Sequence, residues 1–376
     1  MMLTAQSEKK LIREAFSAIR QRGMRAKEAA EAIGLTEGVA LAAFVGHETP
    51  DLQALPVQTA LVVYPVKRQW IELLQALEDC GPVMALTRNE TTVHEKTGIY
   101  QRVSGNQSMG LVMGADIDLR LFLSRWASGL VVVELGAASD VHPKISLQFF
   151  DAHGVSVHKV FPVPATNRQT WHNVLAAWVD MSQVLQFNSE PESVDSRRHR
   201  HVTDPEILAR DWAAMTDTHQ FFDLLKRHDL DRLPALCLMQ GRFTRKVTTA
   251  AVRFTLYRAA FNGLSIMVFV GNPGCIQIHT GPVKRIEPMD INGKQWLNVL
   301  DPAFNLHLRE DMIDQVWVVE KPTEDGIVSS LEVFDAQGEV MAMIFGERKP
   351  GQIEQQSWKD LLAEIPLNPS VGDANL

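Results

Sequence analysis

Cysteine is scarce in this chain of 376 residues: Cys80, Cys237 and Cys275 stand far apart and form neither a CxxC pair nor a Cys/His cluster. That spacing excludes a disulfide framework and a structural zinc site, and leaves all three as small apolar residues expected inside the protein. Long apolar runs are missing as well. No stretch of about 18 uncharged apolar residues occurs, so no membrane-spanning helix and no stable membrane insertion are expected. The start MMLTAQSEKK lacks the basic segment and apolar stretch of a signal peptide, from which a cytoplasmic location is expected. Positive charge is outweighed: 37 Lys and Arg against 45 Asp and Glu give a formal net charge of −8. This disfavours broad capture of nucleic acid or anionic membrane but leaves room for local basic pockets. Neither GxGxxG nor a P-loop is present, so a redox reaction here would draw its electrons from an external reductant.

What is present is ordinary globular composition, 45% hydrophobic and 22% charged, with length for one large domain or two medium ones. There is also an internal repeat. TGIYQRV (97–103) answers TGPVKRI (280–286), and DLRLFL (118–123) answers NLHLRE (305–310). SLQFFDAHGVSVHKVF (146–161) matches SLEVFDAQGEVMAMIF (330–345), and RQTWHNVLAA answers QQSWKDLLAE, pairing Trp171 with Trp358. The order is the same throughout and the offset nearly constant. Each copy reads as short runs of Val, Ile, Phe and Leu, with hairpin turns at Asp151–Gly154 and Asp335–Gly338 and a closing helix around Trp171 or Trp358. The fold class is therefore α+β: an internal duplication of an antiparallel sheet plus helices, giving two large sheets flanked by helices. The polar, aperiodic QFNSEPESVDSRRHRHV reads as a linker, so the expected domains are residues 1–185, a linker at 186–203, and 204–376.

Three segments invite chemistry. RAKEAAEAIGLTEGVALAAF (25–44) echoes a helix-turn-helix, and a regulator is one reading of the chain, but the acidic balance and missing basic face favour a plain helical hairpin. SRRHRH, with His199 and His201, reads as a solvated part of the linker. After Asp204 and Pro205, an N-cap and first helical position, DTHQFFDLLKRHDL predicts a second helix with Phe221, Leu224 and Leu225 as its apolar stripe and Phe222 beside it. His219 falls in its first turn. A helix N-terminus disfavours the imidazolium and leaves a nitrogen lone pair for a metal. An aromatic helix also uses histidine for packing, so spacing alone leaves both roles open.

The stretches ALTRNETTVHEKTG, DLRLFLSRWAS, DTHQFFDLLKR, IMVFVGNPGCIQIHTG, VEKPTEDG and SLEVFDAQG resemble, in order and over nearly the whole chain, the HemS/ChuS/HmuS type of bacterial haemin-handling proteins. The resemblance implies two nine-stranded sheets with flanking helices, haem b as the bound group, and His219 as the proximal ligand to its iron. It places Arg120 and Phe122 near the opposite haem face, with Arg120 as the catalytic candidate acting on an iron-bound ligand. It sets Arg232, Lys321 and Arg348 against the haem propionates and Phe269 in the pocket wall. It also implies a function: a haem-binding protein of bacterial haem-iron uptake that carries haem to a degrading enzyme or degrades it to release iron. A haem-degrading oxygenase as the principal activity is the alternative. A haem oxygenase and the inner-membrane haem importer are the implied partners, and nucleic acid is not one. Two departures stand out. Phe345 in IFGER replaces a tyrosine, and the ligand motif has no second histidine beside His219. His94 aligns with a position tied to a second haem site in some relatives, although the first half has no DTHQFF counterpart.

Overall fold

The structure, a computed structural model, describes residues 5–46, 60–135, 143–188, 204–349 and 351–367. Its residues gather into two compact units. The first takes its described residues from 5–88, 96–188 and 272–277, the second from 89–95, 204–271 and 278–367. A single cut at the linker does not separate them, because residues 89–95 pack with the second unit and 272–277 with the first. Of the expected linker, 186–188 carry no helix or strand; the rest, with His199 and His201, lies outside the described residues.

The first unit opens with α1 (Ala5–Arg20), α2 (Ala26–Glu31) and α3 (Glu37–Ala42), followed by β1 (Ala60–Pro65), α4 (Trp70–Ala76), β2 (Val83–Arg88) and β3 (Thr92–Gly98). Then come β4 (Val103–Gly105), β5 (Met109–Met113), β6 (Asp118–Phe122), β7 (Ser128–Leu135), β8 (Lys144–Phe150), β9 (Ser156–Pro162) and α5 (Arg168–Trp178). The second holds α6 (Pro205–Ala213), α7 (Gln220–Arg227), α8 (Arg232–Leu238), β10 (Thr244–Val247), α9 (Ala251–Asn262), β11 (Ser265–Asn272) and β12 (Cys275–Pro282). It continues with β13 (Ile286–Ile291), β14 (Lys294–Asp301), β15 (Phe304–Arg309), β16 (Gln315–Thr323), β17 (Gly326–Phe334), β18 (Val340–Gly346) and α10 (Gln356–Ala363). The chain passes between units inside β3 and inside β12.

The strands build two nine-stranded sheets. In the first unit β1-β7-β8-β9-β2 lie side by side in that order; in the second, β10-β16-β17-β18-β11 follow the same path with nine added to each number. The runs β4-β5-β6 and β13-β14-β15 correspond in the same way. The repeat seen in sequence is thus a repeat of topology, and it extends to irregularities. The β8–β9 ladder slips at Phe149/Phe150 and the β17–β18 ladder at Val333/Phe334, the same point of the repeat. Each slip feeds a turn organised by an aspartate. Asp151 Oδ1 accepts from the backbone N–H of His153 and Val155, both at 2.8 Å, and Asp335 Oδ1 from those of Gln337 and Glu339, both at 2.9 Å. Gly154 and Gly338 close the turns at φ of +77° and +80°, where a side chain would be strained.

Trp171 on α5 and Trp358 on α10 are fully buried, each in the core of its own unit. Trp358 Nε1 donates to Ser329 O at 3.0 Å, and a Cβ on Gly346 would lie 2.6 Å from the indole, so glycine is what lets strand and ring meet. Truncating either tryptophan to alanine removes about 3–5 kcal/mol of stability.

The helical hairpin at 25–44 forms, but its second helix is not free. α3 buries Glu37, whose carboxylate accepts from Lys159 Nζ at 2.6 and 2.7 Å, and Gly38 packs on Gly154 with N–H donating to its carbonyl at 2.8 Å. The side of α3 that carries Glu37 and Gly38 is thus held by its own unit. Cys80 and Cys275 are buried as expected, but Cys237 on α8 is exposed, since the face of α8 that carries it points away from Ala235 and Leu236 in the core. Cys275 belongs to a closed polar chain in the first unit. Tyr100 Oη lies 2.6 Å from His158 Nε2, His158 Nδ1 lies 2.8 Å from Thr87 Oγ1, and Thr87 Oγ1 lies 3.4 Å from Cys275 Sγ. Burial drives the His158 pKa down to about 3 and the Cys275 thiol up to about 12, so both groups are neutral in the folded protein.

Candidate functional site

α7 begins later than its sequence pattern indicates. Asp217–His219 form a turn, His219 is the N-cap residue, and the helix proper starts at Gln220. Two side chains brace this turn. Asp217 Oδ1 accepts from the His219 backbone N–H at 2.7 Å, and Gln220 Oε1 accepts from Thr216 N at 2.9 Å while Gln220 Nε2 donates to Thr216 Oγ1 at 3.1 Å. The same Asp217 oxygen lies 2.6 Å from His219 Nδ1. The His219 side chain is 89% exposed, so Nε2 is its accessible nitrogen. The carboxyl of Asp217 is held below the usual carboxylate range, first by the His219 backbone hydrogen bond and further by the His219 ring and the charge of Arg348.

The two phenylalanines after His219 divide. Phe222, one helical turn on and on the same side, is 73% exposed; Phe221 is 1% exposed and faces the sheet. Over the Phe221 ring stand two cations, the Arg232 guanidinium at 4.9 Å and the Lys321 ammonium at 4.7 Å from its centroid. Both bind one carboxylate. Glu332 accepts from Arg232 Nη1 at 2.8 and 3.0 Å and from Lys321 Nζ at 2.6 Å, with Ser330 Oγ at 3.1 Å. Burial alone would raise the Glu332 pKa, but the charges of Arg232 and Lys321 outweigh it and hold the group at about 2. Burial lowers that of Lys321, partly offset by Glu332. Two cations sharing one anion leave the group with a net positive charge, open to solvent on the Arg232 side, where the side chain is 24% exposed. Lys321 is 4% exposed. Lys321, expected from the resemblance to meet a haem propionate, has its ammonium bound here to Glu332 and set against the Phe221 ring.

Arg348 follows β18. Its nearest carboxylate, Asp325, is 3.9 Å away, too far for a hydrogen bond, and its Nη1 is buried without a hydrogen-bond partner among the described residues. Phe269 on β11 and Phe345 on β18 are half-buried neighbours with ring centroids 4.9 Å apart. His219, Arg232, Phe269, Lys321 and Arg348 all belong to the second unit, whereas Arg120 and Phe122 lie on β6 of the first. Arg120 pairs with Asp118 and donates to Leu119 O at 3.3 Å; its side chain is 34% exposed. Phe122 is half-buried, its N–H bonded to Gly274 O at 3.0 Å. His94 is wholly buried, its ring 4.9 Å from Phe304, so the position suggested for a second haem site presents no accessible imidazole.

Sequence reasoning missed Asp217 and Glu332. An Asx turn two residues before the histidine was readable in DTH, and a lone glutamate in the apolar run SLEVF was the sign of a buried charge.

Fold and site together define a duplicated α+β protein that presents one carboxylate-oriented imidazole beside cationic and aromatic side chains. Residues 48–178 and 229–365 each match the family described as the haemin-degrading HemS.ChuX domain, and the chain belongs to that family. It is 36% identical over 347 residues to the hemin transport protein HmuS of Yersinia pestis, covering 91% of this chain and 93% of that protein. Among solved structures it is similar to holo-PhuS, a heme-binding protein from Pseudomonas aeruginosa, at 37% identity and a TM-score of 0.85 over 96% of this chain and 99% of that one. It is also similar to ChuS, an E. coli heme oxygenase, at 33% identity and a TM-score of 0.80 over 94% and 98% of the two chains. The duplicated fold expected from the repeat is the fold of this family.

Proposed function

We propose that this protein binds haem b, iron protoporphyrin IX, as cargo in bacterial haem-iron uptake and passes it to a degrading enzyme, working in the cytoplasm. Among the described residues, no helix is long and apolar enough to cross a membrane. The observation that carries the reading is the exposed His219 imidazole, with Nδ1 engaged by Asp217 and Nε2 left accessible. The residues present suit the group. Nε2 is a strong ligand for haem iron, and the exposed Phe222 adds an aromatic surface one turn away. Arg348, with a buried guanidinium nitrogen that lacks a hydrogen-bond partner, and the net positive charge around Arg232 suit the porphyrin's two carboxylates. Lys321 contributes through that charge rather than by touching the ligand. Bound haem supplies an iron centre open to ligand exchange and reduction. The chain's own residues bind it, orient the ring and balance its carboxylates. Arg120 and Phe122, on β6, are proposed as further haem-contacting residues, and Phe269 for the wall.

Delivery to a haem oxygenase and receipt from an inner-membrane importer complete the proposal. Electrons for any breakdown of haem would come from an external reductant. Spectral titration of the full chain with haemin tests the reading: one equivalent should give a Soret band that His219→Ala abolishes or shifts, with affinity lowered at least tenfold. An unchanged spectrum and affinity in His219→Ala would remove it.

A further inference from the structure

We infer that Asp217 is a positioning residue: it holds His219 as the tautomer protonated on Nδ1, aims Nε2 outward, and strengthens that nitrogen as an electron donor to the iron of the proposed haem ligand. The inference rests on the haem-binding reading. One oxygen, Asp217 Oδ1, accepts from both the backbone N–H and the ring Nδ1 of His219, at 2.7 and 2.6 Å. An ionised carboxylate can only accept, so Nδ1 carries a proton, and a neutral ring then has its lone pair on Nε2. The backbone bond fixes the carboxylate relative to the histidine's own main chain. The ring bond then fixes χ rotations that an 89% exposed imidazole would otherwise sample. Gln220 and Thr216 hold the turn from its other side, so the aim of Nε2 is set before any ligand arrives. A carboxylate on the far nitrogen of a metal-binding histidine also raises the basicity of the ligating nitrogen.

The simpler alternative is that Asp217 only shapes the turn before α7. An asparagine would do that equally well, since its Oδ1 accepts the same backbone N–H, but it is uncharged. Asp217→Asn therefore separates the two roles, with Asp217→Ala removing both and Asp217→Glu as the conservative rescue. In the full-length protein without ligand, nitrogen NMR of the His219 ring should show the Nδ1–H form in the parent and in Asn, whose Oδ1 accepts from the same two N–H groups, and a mixture in Ala. With haem bound and reduced, the iron–histidine stretching frequency should fall from parent to Asn to Ala and recover in Glu, while the unfolding midpoint of Asn stays that of the parent. Haemin affinity should fall about 10- to 100-fold in Ala. If the tautomer and the stretching frequency are the same in parent, Asn and Ala, the positioning role is wrong. The His219→Ala titration reports separately on the haem reading, and the ligand-free tautomer measurement stands whichever way that titration falls.

Discussion

The Lys321 ammonium and the Glu332 carboxylate lie 2.6 Å apart on neighbouring strands of the second unit, 4% and 0% exposed, beneath the ring of Phe221. With Arg232 on the same carboxylate they form a buried group of three charges in which the anion is the shared member. Removing that anion leaves the buried Lys321 ammonium and the partly exposed Arg232 guanidinium without the carboxylate they share.

Glu332→Gln should therefore lower stability by about 3–5 kcal/mol, more than Lys321→Met, and Glu332→Gln combined with Lys321→Met should recover part of the loss. Urea unfolding at neutral pH measures all three. The pH dependence has a definite sign. The folded pKa, about 2, lies below the ordinary 4.5, so Glu332's contribution is complete above 4.5 and is lost as pH falls toward 2. An acid limb over that range that is the same in parent and Gln variant would refute the assignment.

His158 should dominate the limb at higher pH. Its folded pKa of about 3 against an ordinary 6.5 means that, below 6.5, the unfolded chain takes up a proton that the folded protein refuses. Stability is then unaffected by this group above pH 6.5 and declines steadily from 6.5 to about 3. In His158→Gln the slope between pH 6 and pH 4 should flatten by roughly one proton, even though the variant is less stable overall for want of the Tyr100 and Thr87 contacts. Equal slopes in the two proteins would show that His158 is not the group refusing the proton.

Arg120→Ala tests the role proposed for the first unit's residues. The half-exposed pair with Asp118 contributes about 1 kcal/mol or less, so the variant should fold normally and still take up haemin through His219. What should change, if haem binds as proposed, is exchange of water and cyanide at its iron, followed by stopped-flow absorbance. Loss of most haemin affinity with normal cyanide binding would give Arg120 a different task.

A fragment beginning near Thr203 looks self-sufficient in sequence, yet the second unit includes residues 89–95. Asn89 Nδ2 donates to the carbonyls of Gly271, Val340 and Met341 at 3.0 to 3.3 Å, and its Oδ1 accepts from Thr91 and Thr92. The fragment should be unstable, with broad amide NMR signals and weak haemin uptake, and Asn89→Ala should lower the stability of the full chain by about 1–3 kcal/mol. A well-folded fragment with parental affinity would show that these bonds are dispensable.

Much of this was present in the order of residues. Two copies of one hydrophobic pattern had to bury like surfaces, so the duplicated sheets, the aspartate turns at 151 and 335, and the tryptophan helices were legible, because each depends on neighbours a few residues away. Asp204 and Pro205 announced α6 for the same reason. The resemblance of DTHQFF to a ligand motif singled out His219. Only the tertiary structure decided that Glu332 claims Lys321, that residues 89–95 and 272–277 each pack with the unit formed mainly by the other half, and that Glu37 of α3 is bound by Lys159. Those outcomes turn on which distant groups share a low-dielectric space. A buried charge must find its partner wherever the fold places one, at a separation along the chain that no local periodicity records.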